Sequence, residues 1–131
     1  MQASKTTRLR AWGITLLRLV TGIVFLGAGL QNLFLEGSSQ LPEPILIVGS
    51  LVELLCGAAL VAGLLTRWVS AALALLMLAD ILVFHPPNGV FVGDEGFEHA
   101  LLRLAAGAAL ALTGPGKVAL DNMLAIRRRP K

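Results

Sequence analysis

Four apolar segments make up most of this 131-residue chain, and a charged residue interrupts each of them. The interrupting residues are Arg18, Glu53, Asp80 and Arg103. Because of them, no stretch reaches the ~18 uncharged apolar residues that usually identify a transmembrane helix. Charged residues nevertheless form only 15% of the chain, against about 25% in a soluble globular domain. The chain lacks the polar residues to cover its own surface, so we predict an integral membrane protein, with a soluble helical bundle as the alternative.

Connections that contain proline and glycine divide the chain into predicted transmembrane helices. The helices cover about residues 11–35, 44–65, 68–84 and 97–113. Pro42 and Pro44 separate the first two, and Pro86 and Pro87 follow the third, since proline lacks an amide donor and constrains the residue before it. The first segment also resembles a signal peptide, but its length, Arg18 and the lack of a small-residue cleavage site favour an uncleaved helix.

Lysine and arginine residues fall on one side of this predicted bundle. They precede the first helix, join the second to the third and follow the fourth: Lys5, Arg8, Arg10, Arg67, Lys117 and Arg127-Arg128-Arg129-Pro130-Lys131. The two opposite connections contain neither residue type. By the positive-inside rule, both termini are cytoplasmic. We therefore predict an all-α, four-transmembrane-helix bundle forming a single domain over residues 1–131, with a short amphipathic helix inside the basic tail 117–131.

The four intramembrane charges are the candidate functional residues. Each costs ~2.5–3.5 kcal/mol at the centre of a spanning helix, so the two arginines and two acids should be paired and face inward. We predict that Glu53 pairs with Arg103. The candidate partners of Arg18 are the other polar groups of the interior: Glu53, Asp80, Asn32 and Gln31. Two explanations stay open, namely ion pairs that only specify packing register and a site that binds a ligand or handles a proton.

A glycine follows three of these charges at a distance of four residues. The pairs are Arg18 with Gly22, Glu53 with Gly57, and Arg103 with Gly107. Residues four apart share one helix face, and glycine allows a neighbouring backbone to approach. We therefore expect these faces to form the close helix crossings of the bundle.

Residue types that bind metals or exchange electrons form no strong motif. A polar cluster is predicted at the outer ends of the third and fourth helices: His85, Asp94, Glu95, Glu98 and His99. Within it, His85, Glu95 and His99 are metal-ligand candidates, but their spacing matches no metal motif, and interfacial hydrogen bonding is the favoured interpretation. Cys56 is the single cysteine, so the chain has no disulfide of its own and no Cys-x-x-Cys pair. The basic residues lack a recognition motif, which argues against nucleic acid as a partner.

Several short motifs occur in a fixed order along the chain. They are Arg18 with Gly22, Gly29-Leu30-Gln31, Glu53-Leu54-Leu55-Cys56-Gly57, Gly63-Leu64-Leu65-Thr66-Arg67, His85 with Asn88-Gly89-Val90-Phe91, Glu98, Gly114-Pro115-Gly116-Lys117 and Leu120-Asp121. Their order and spacing resemble those of the DoxX-like membrane proteins over about residues 16–121. Two positions depart from that pattern: Asn32 stands where a lysine is frequent, and Ala119 where a serine is common.

The resemblance implies a four-helix protein of the bacterial inner membrane with a link to redox biology, since relatives include a subunit of a thiosulfate:quinone oxidoreductase. From it we expect a multipass accessory protein of a redox system rather than a stand-alone enzyme. Its candidate quinone site lies near Glu53, Arg103, Gly57 and Gly22. There Glu53 is expected to exchange a proton with a quinol hydroxyl or accept its hydrogen bond, while Arg103 or Arg18 holds the charge state of the carboxylate.

The partners expected beside the lipid bilayer are a soluble or membrane redox protein and a second copy of the chain. Two other function classes stay open. One is a membrane scaffold that recruits a partner through Lys117 and residues 127–131. The other is a small transporter or channel subunit, which would need to oligomerise to form a pathway.

Overall fold

The computed structural model describes residues 2–34, 42–84 and 98–127, and every regular element within these ranges is helical. The five helices are α1 (Gln2–Phe34), α2 (Glu43–Ala62), α3 (Thr66–Phe84), α4 (Glu98–Thr113) and α5 (Leu120–Arg127). The predicted all-α class is confirmed. Three of the helices, α1, α2 and α3, are long and apolar enough to cross a membrane. With 16 residues, α4 is ~24 Å long and shorter than a ~30 Å hydrocarbon core, so the fourth span stays a prediction.

Two helix boundaries differ from the predicted ones. α1 begins at Gln2 rather than near residue 11, because the polar residues that precede the apolar segment contain no helix breaker. α2 ends at Ala62, since Gly63 adopts a left-handed conformation with φ 74° and donates its amide to the Leu60 carbonyl at 3.1 Å. The turn between α2 and α3 therefore lies at 63–65, three residues earlier than expected.

The helices pack as two pairs, because α1 packs mainly on α2 and α3 mainly on α4. Glycines allow both contacts. A Cβ placed on Gly57 would lie 2.8 Å from the Leu26 nitrogen and 2.9 Å from the Gly22 oxygen. On the other pair, a Cβ on Gly107 would lie 3.2 Å from the Ser70 oxygen. The prediction that Gly22, Gly57 and Gly107 form close crossings is confirmed.

Polar side chains are buried inside the bundle, and many large apolar side chains lie on its outer surface. Among the residues that the structure describes, seven polar or charged ones are buried: Thr15, Arg18, Thr21, Ser50, Glu53, Thr66 and Ser70. They lie around a small apolar core that includes Phe25, Leu60 and Leu73. Leucines such as Leu55, 68% exposed, and Leu112, 82% exposed, face outward. This distribution fits lipid surroundings and disfavours the soluble bundle that the sequence left as an alternative.

Candidate functional site

Glu53 lies in the middle of α2 and points into the bundle. The residue is only 5% exposed, and its Oε2 accepts a hydrogen bond of 3.2 Å from the Asn32 amide on α1. The close crossing at Gly29 positions this pair, since a Cβ there would lie 3.3 Å from the Glu53 Cβ. Asn32 was predicted as a candidate partner of Arg18 and not of Glu53, so this hydrogen bond was not predicted. A lysine at position 32 would place a cation beside the same carboxylate.

A cavity of about 130 Å³ opens beside this carboxylate, between α1, α2 and α3. Its walls carry both intramembrane acids together with small and apolar side chains: Asn32, Ile45, Leu46, Gly49, Ser50, Glu53, Leu76, Met77, Ala79 and Asp80. We call it the Glu53 cavity. A Cβ placed on Gly49 would meet no atom within 4 Å, so the wall is open at that position. The cavity combines an apolar enclosure with a few polar groups, as small-molecule sites do.

Arg103 contributes to this site from the opposite pair of helices. It lies half-buried on α4, and its guanidinium carbon is 5.9 Å from the centroid of the buried Phe25 ring. The charges of Arg103 and Asp80 both act on the Glu53 carboxylate. Three of the four predicted charges, Glu53, Asp80 and Arg103, therefore lie close enough to interact electrostatically. Arg103 acts on Glu53 through its charge.

The fourth charge, Arg18, lies elsewhere, and the predicted partners for it were wrong. Its side chain is 2% exposed, its Nη1 donates a hydrogen bond of 2.7 Å to the Pro115 carbonyl, and the acid that acts on its charge is Asp121. Arg18 and Asn32 are 14 residues apart on α1, which is ~21 Å along the axis and beyond the reach of an arginine side chain. Arg18 therefore belongs to the opposite end of the bundle.

That end is held together by a set of hydrogen bonds that we call the polar junction, formed by Thr15, Arg18, Gly63 and the segment 115–121. The Asp121 carboxylate accepts the amides of Leu65 at 2.6 Å and Thr66 at 2.8 Å, which caps the start of α3. Its own amide donates to the Gly63 carbonyl at 2.9 Å. Thr15 Oγ1 accepts the Lys117 amide at 2.8 Å. Sequence reasoning missed Thr15, whose signal was its position three residues before Arg18 on the same helix face.

The glycines named for the quinone site do not line the Glu53 cavity. Gly22 and Gly57 meet in the α1–α2 crossing, where the opposite backbone fills the space beside each of them. Of the metal candidates, His85 and Glu95 lie outside the described residues, while His99 lies exposed on α4. Within residues 2–34, 42–84 and 98–127, no group of three or more His, Cys, Asp or Glu side chains could hold a metal ion.

Comparisons with known proteins identify one family and two similar bacterial proteins. The family model for DoxX matches residues 13–86. A protein of Bacillus subtilis (strain 168) named "Putative oxidoreductase CatD" is 34% identical over 116 residues, which cover 83% of this chain and 84% of the relative. "Uncharacterized membrane protein Rv3486" of Mycobacterium tuberculosis is 32% identical over 133 residues, covering 85% and 80% respectively. No solved structure matches the chain.

Proposed function

Because the chain belongs to the DoxX family, we propose that it is an accessory membrane protein of a bacterial redox system that binds a quinol head group in the Glu53 cavity. The observation that carries this proposal is a buried carboxylate, held by Asn32, that faces a ring-sized cavity. The name of the Bacillus relative, which describes that protein as an oxidoreductase, supports a link to redox chemistry. A soluble or membrane redox protein completes the system.

The size of the Glu53 cavity favours a single ring. An apolar cavity of ~150 Å³ admits benzene, and this cavity measures about 130 Å³. Because this volume is slightly below that of the benzene-binding cavity, the cavity takes the ring of a benzoquinol with the ring substituents in its opening between the helices. The fused rings of a naphthoquinol would instead require the helices to move apart. Its partial opening between the helices leaves a route for an isoprenoid tail into the lipid.

The polar groups of the cavity favour the reduced form of the ligand. A quinol has two hydroxyl donors, while a quinone has only acceptors. The carboxyl group of Glu53 has two oxygens that can accept hydrogen bonds, and the Asn32 amide uses one position on Oε2. We therefore assign Glu53 as the acceptor of a quinol hydroxyl and Asp80 as the second acid at the cavity. The positive charge of Arg103 partly offsets the energy cost of burying the Glu53 carboxylate.

The first experiment measures binding to the purified full-length protein by calorimetry and by thermal shift, with a short-tailed benzoquinol as the probe. Gly49→Phe places a ring at the open wall of the cavity, so we expect affinity to fall about tenfold or more with little change in Tm. Gly27→Phe is the matched control, because Gly27 also has open space beside it and does not line the cavity. Glu53→Gln keeps the shape but removes the charged acceptor, and should also weaken binding about tenfold or more.

The oxidised benzoquinone should bind more weakly than the quinol. Wild-type protein that binds neither form would contradict the proposal. So would a Gly49→Phe variant that binds as tightly as Gly27→Phe. If the Glu53→Gln protein binds the quinol normally but is less stable, Glu53 has only the structural role that the sequence left open, an ion pair that specifies helix packing.

We also propose that α4 is a fourth span and that both termini are cytoplasmic, within a single domain of the bacterial inner membrane. Two contacts support this topology. Arg18 donates a hydrogen bond to the Pro115 carbonyl, and the Lys117 Nζ lies 4.9 Å from the centroid of the Trp12 ring. Both contacts join the segment that follows α4 to the basic N-terminal half of α1. The end of α4 therefore lies at the same side of the bundle as the start of α1, and the start of α4 lies at a different depth. The excess of Lys and Arg at the start of α1 and after α4 favours the cytoplasmic side for that end.

Cysteine labelling in intact cells tests this topology on the full-length chain, because Cys56 is the only native cysteine. In a Cys56→Ala background, a membrane-impermeant maleimide should label Ser38→Cys and Gly93→Cys but not Lys131→Cys. Labelling of Lys131→Cys in intact cells would show that the C-terminus is extracytoplasmic and would contradict the assigned orientation. Protection of Gly93→Cys in intact cells, with labelling after lysis, would show that α4 does not cross.

A further inference from the structure

A groove separates α1 from α4, which belong to different pairs and lie next to each other. Two adjoining cavities of about 500 Å³ and 320 Å³ form it, and Leu17 lines both. Each is within the ~300–1,000 Å³ range of ligand sites. The first cavity is lined by Arg10, Gly13, Ile14, Leu17, Ala109 and Thr113. We call the two cavities together the α1–α4 groove; the Glu53 cavity lies apart from it, between α1, α2 and α3.

The length and lining of the α1–α4 groove fit a lipid acyl chain. On α1 the lining residues run from Arg10 to Val24, which is ~21 Å along the helix axis. Half of a ~30 Å hydrocarbon core is ~15 Å, so the groove is long enough for one acyl chain of a single leaflet. Apart from Arg10, Thr113, Thr21, His99 and Arg103, the side chains that line it are apolar or small.

Basic residues lie at the end of the bundle where a headgroup would lie, and one of them, Arg10, lines the groove. The exposed Arg8 precedes it on α1. The Lys117 ammonium lies 4.9 Å from the centroid of the Trp12 ring, an aromatic residue of the type found at membrane interfaces. The guanidinium of an arginine binds phosphate oxygens in a bidentate manner. We propose that the α1–α4 groove binds one anionic phospholipid, with its phosphate at Arg10 and one acyl chain between the helices.

The positive charge of Arg10 favours an anionic lipid over two other molecules that could fill an apolar groove, namely a neutral isoprenoid tail and a second copy of this chain. A neutral isoprenoid tail gains nothing from Arg10. A second copy of this chain would bring its own basic end and a net charge of +3 against the same residues. An anionic lipid instead neutralises this end of the bundle, and its chain fills the space between the helix pairs.

The open side of α1 allows a sharp test. A Cβ placed on Gly13 would meet no atom within 4 Å, and Gly13 lines the groove, so Gly13→Leu should fill it without disturbing the fold. Gly27→Leu is the matched control on the same helix, since it also has open space and does not line the groove. Arg10→Gln removes the proposed phosphate contact on an exposed side chain.

Native mass spectrometry of the purified full-length protein, after incubation with matched phosphatidylglycerol and phosphatidylcholine, supplies the measurement. We expect the wild type to retain one phosphatidylglycerol, with phosphatidylcholine retained roughly tenfold less. Gly13→Leu should lose both adducts by about tenfold, and Gly27→Leu should behave as the wild type. Arg10→Gln should retain the two lipids equally.

Three results would overturn the inference. The first is equal retention of the two lipids by the wild type. The second is a Gly13→Leu protein that keeps its phosphatidylglycerol. The third is a dimer that forms in place of the lipid adduct and is lost in Gly13→Leu. Thermal unfolding of each variant excludes misfolding as the cause of lipid loss, and Arg10→Gln tests the charge even if Gly13→Leu proves unstable.

Discussion

Replacing Gly57 with leucine is expected to reduce the free energy of unfolding by about 3 kcal/mol or more, the upper range for overpacking of a close contact. A Cβ at this position would lie 2.8 Å from the Leu26 nitrogen and 2.9 Å from the Gly22 oxygen. Both are backbone atoms of α1, so no rotamer change can relieve the contact and the two helices must separate. For a domain of this size, we expect Tm to fall by roughly 10 °C in a thermal scan of detergent-solubilised protein.

The same variant should also lose quinol binding, although Gly57 does not line the Glu53 cavity. Glu53 precedes Gly57 by one helical turn, and its bond to Asn32 at 3.2 Å requires α1 and α2 to stay close. Gly27→Leu provides the control, because a side chain there enters open space. If Gly57→Leu is as stable as Gly27→Leu, the close α1–α2 crossing described above is wrong.

The crossings could be predicted from the sequence because helix periodicity alone fixes them. A charge and a glycine four residues apart share a face, and glycine, the smallest residue, lets two backbones approach most closely. The same reasoning placed Glu53 inside the bundle and Arg103 close enough to act on it. These inferences need only the sequence spacing within each helix and the high energy of an unpaired charge in lipid.

The partner of Arg18 could not be predicted in this way. Arg18 bonds to a backbone carbonyl, at Pro115, and every residue of the chain carries such a group. The predicted partners were all side chains, namely the acids Glu53 and Asp80 and the amides Asn32 and Gln31. The Glu53 cavity was equally hidden, because it depends on the space left between Asn32, Gly49 and Asp80 after three helices pack.

Helix ends were predicted only where a residue imposes its own conformation. The start of α1 was misplaced because the point where apolar residues begin marks entry into the membrane rather than the first helical turn. The start of α3 depends on Asp121, which lies 55 residues later in the chain and caps the Thr66 amide. No local pattern around Thr66 reveals a capping group supplied from such a distance.

Removal of the Asp121 carboxylate should have the second large effect, a loss of about 2–3 kcal/mol in the free energy of unfolding, in line with charge-assisted hydrogen bonds and caps. Asp121 accepts the amides of Leu65 and Thr66, and Leu65 has a positive φ of 47° that a residue with a Cβ rarely adopts. Asp121→Ala removes both bonds and the acid that acts on the buried Arg18 charge. Thermal and denaturant unfolding in detergent measure the loss.

Two further variants separate the contributions of Asp121. Asp121→Asn keeps an oxygen acceptor but no charge, so it should lose about half as much. Glu43→Ala is the matched control, because Glu43 is an exposed acid in the first turn of α2 and should cost only ~0.3–1 kcal/mol. In a double-mutant cycle, Arg18→Met should lessen the effect of Asp121→Ala, since no buried cation is then left without its acid. Strictly additive losses would show that Asp121 acts as a helix cap alone, and a loss no larger than that of Glu43→Ala would contradict both roles.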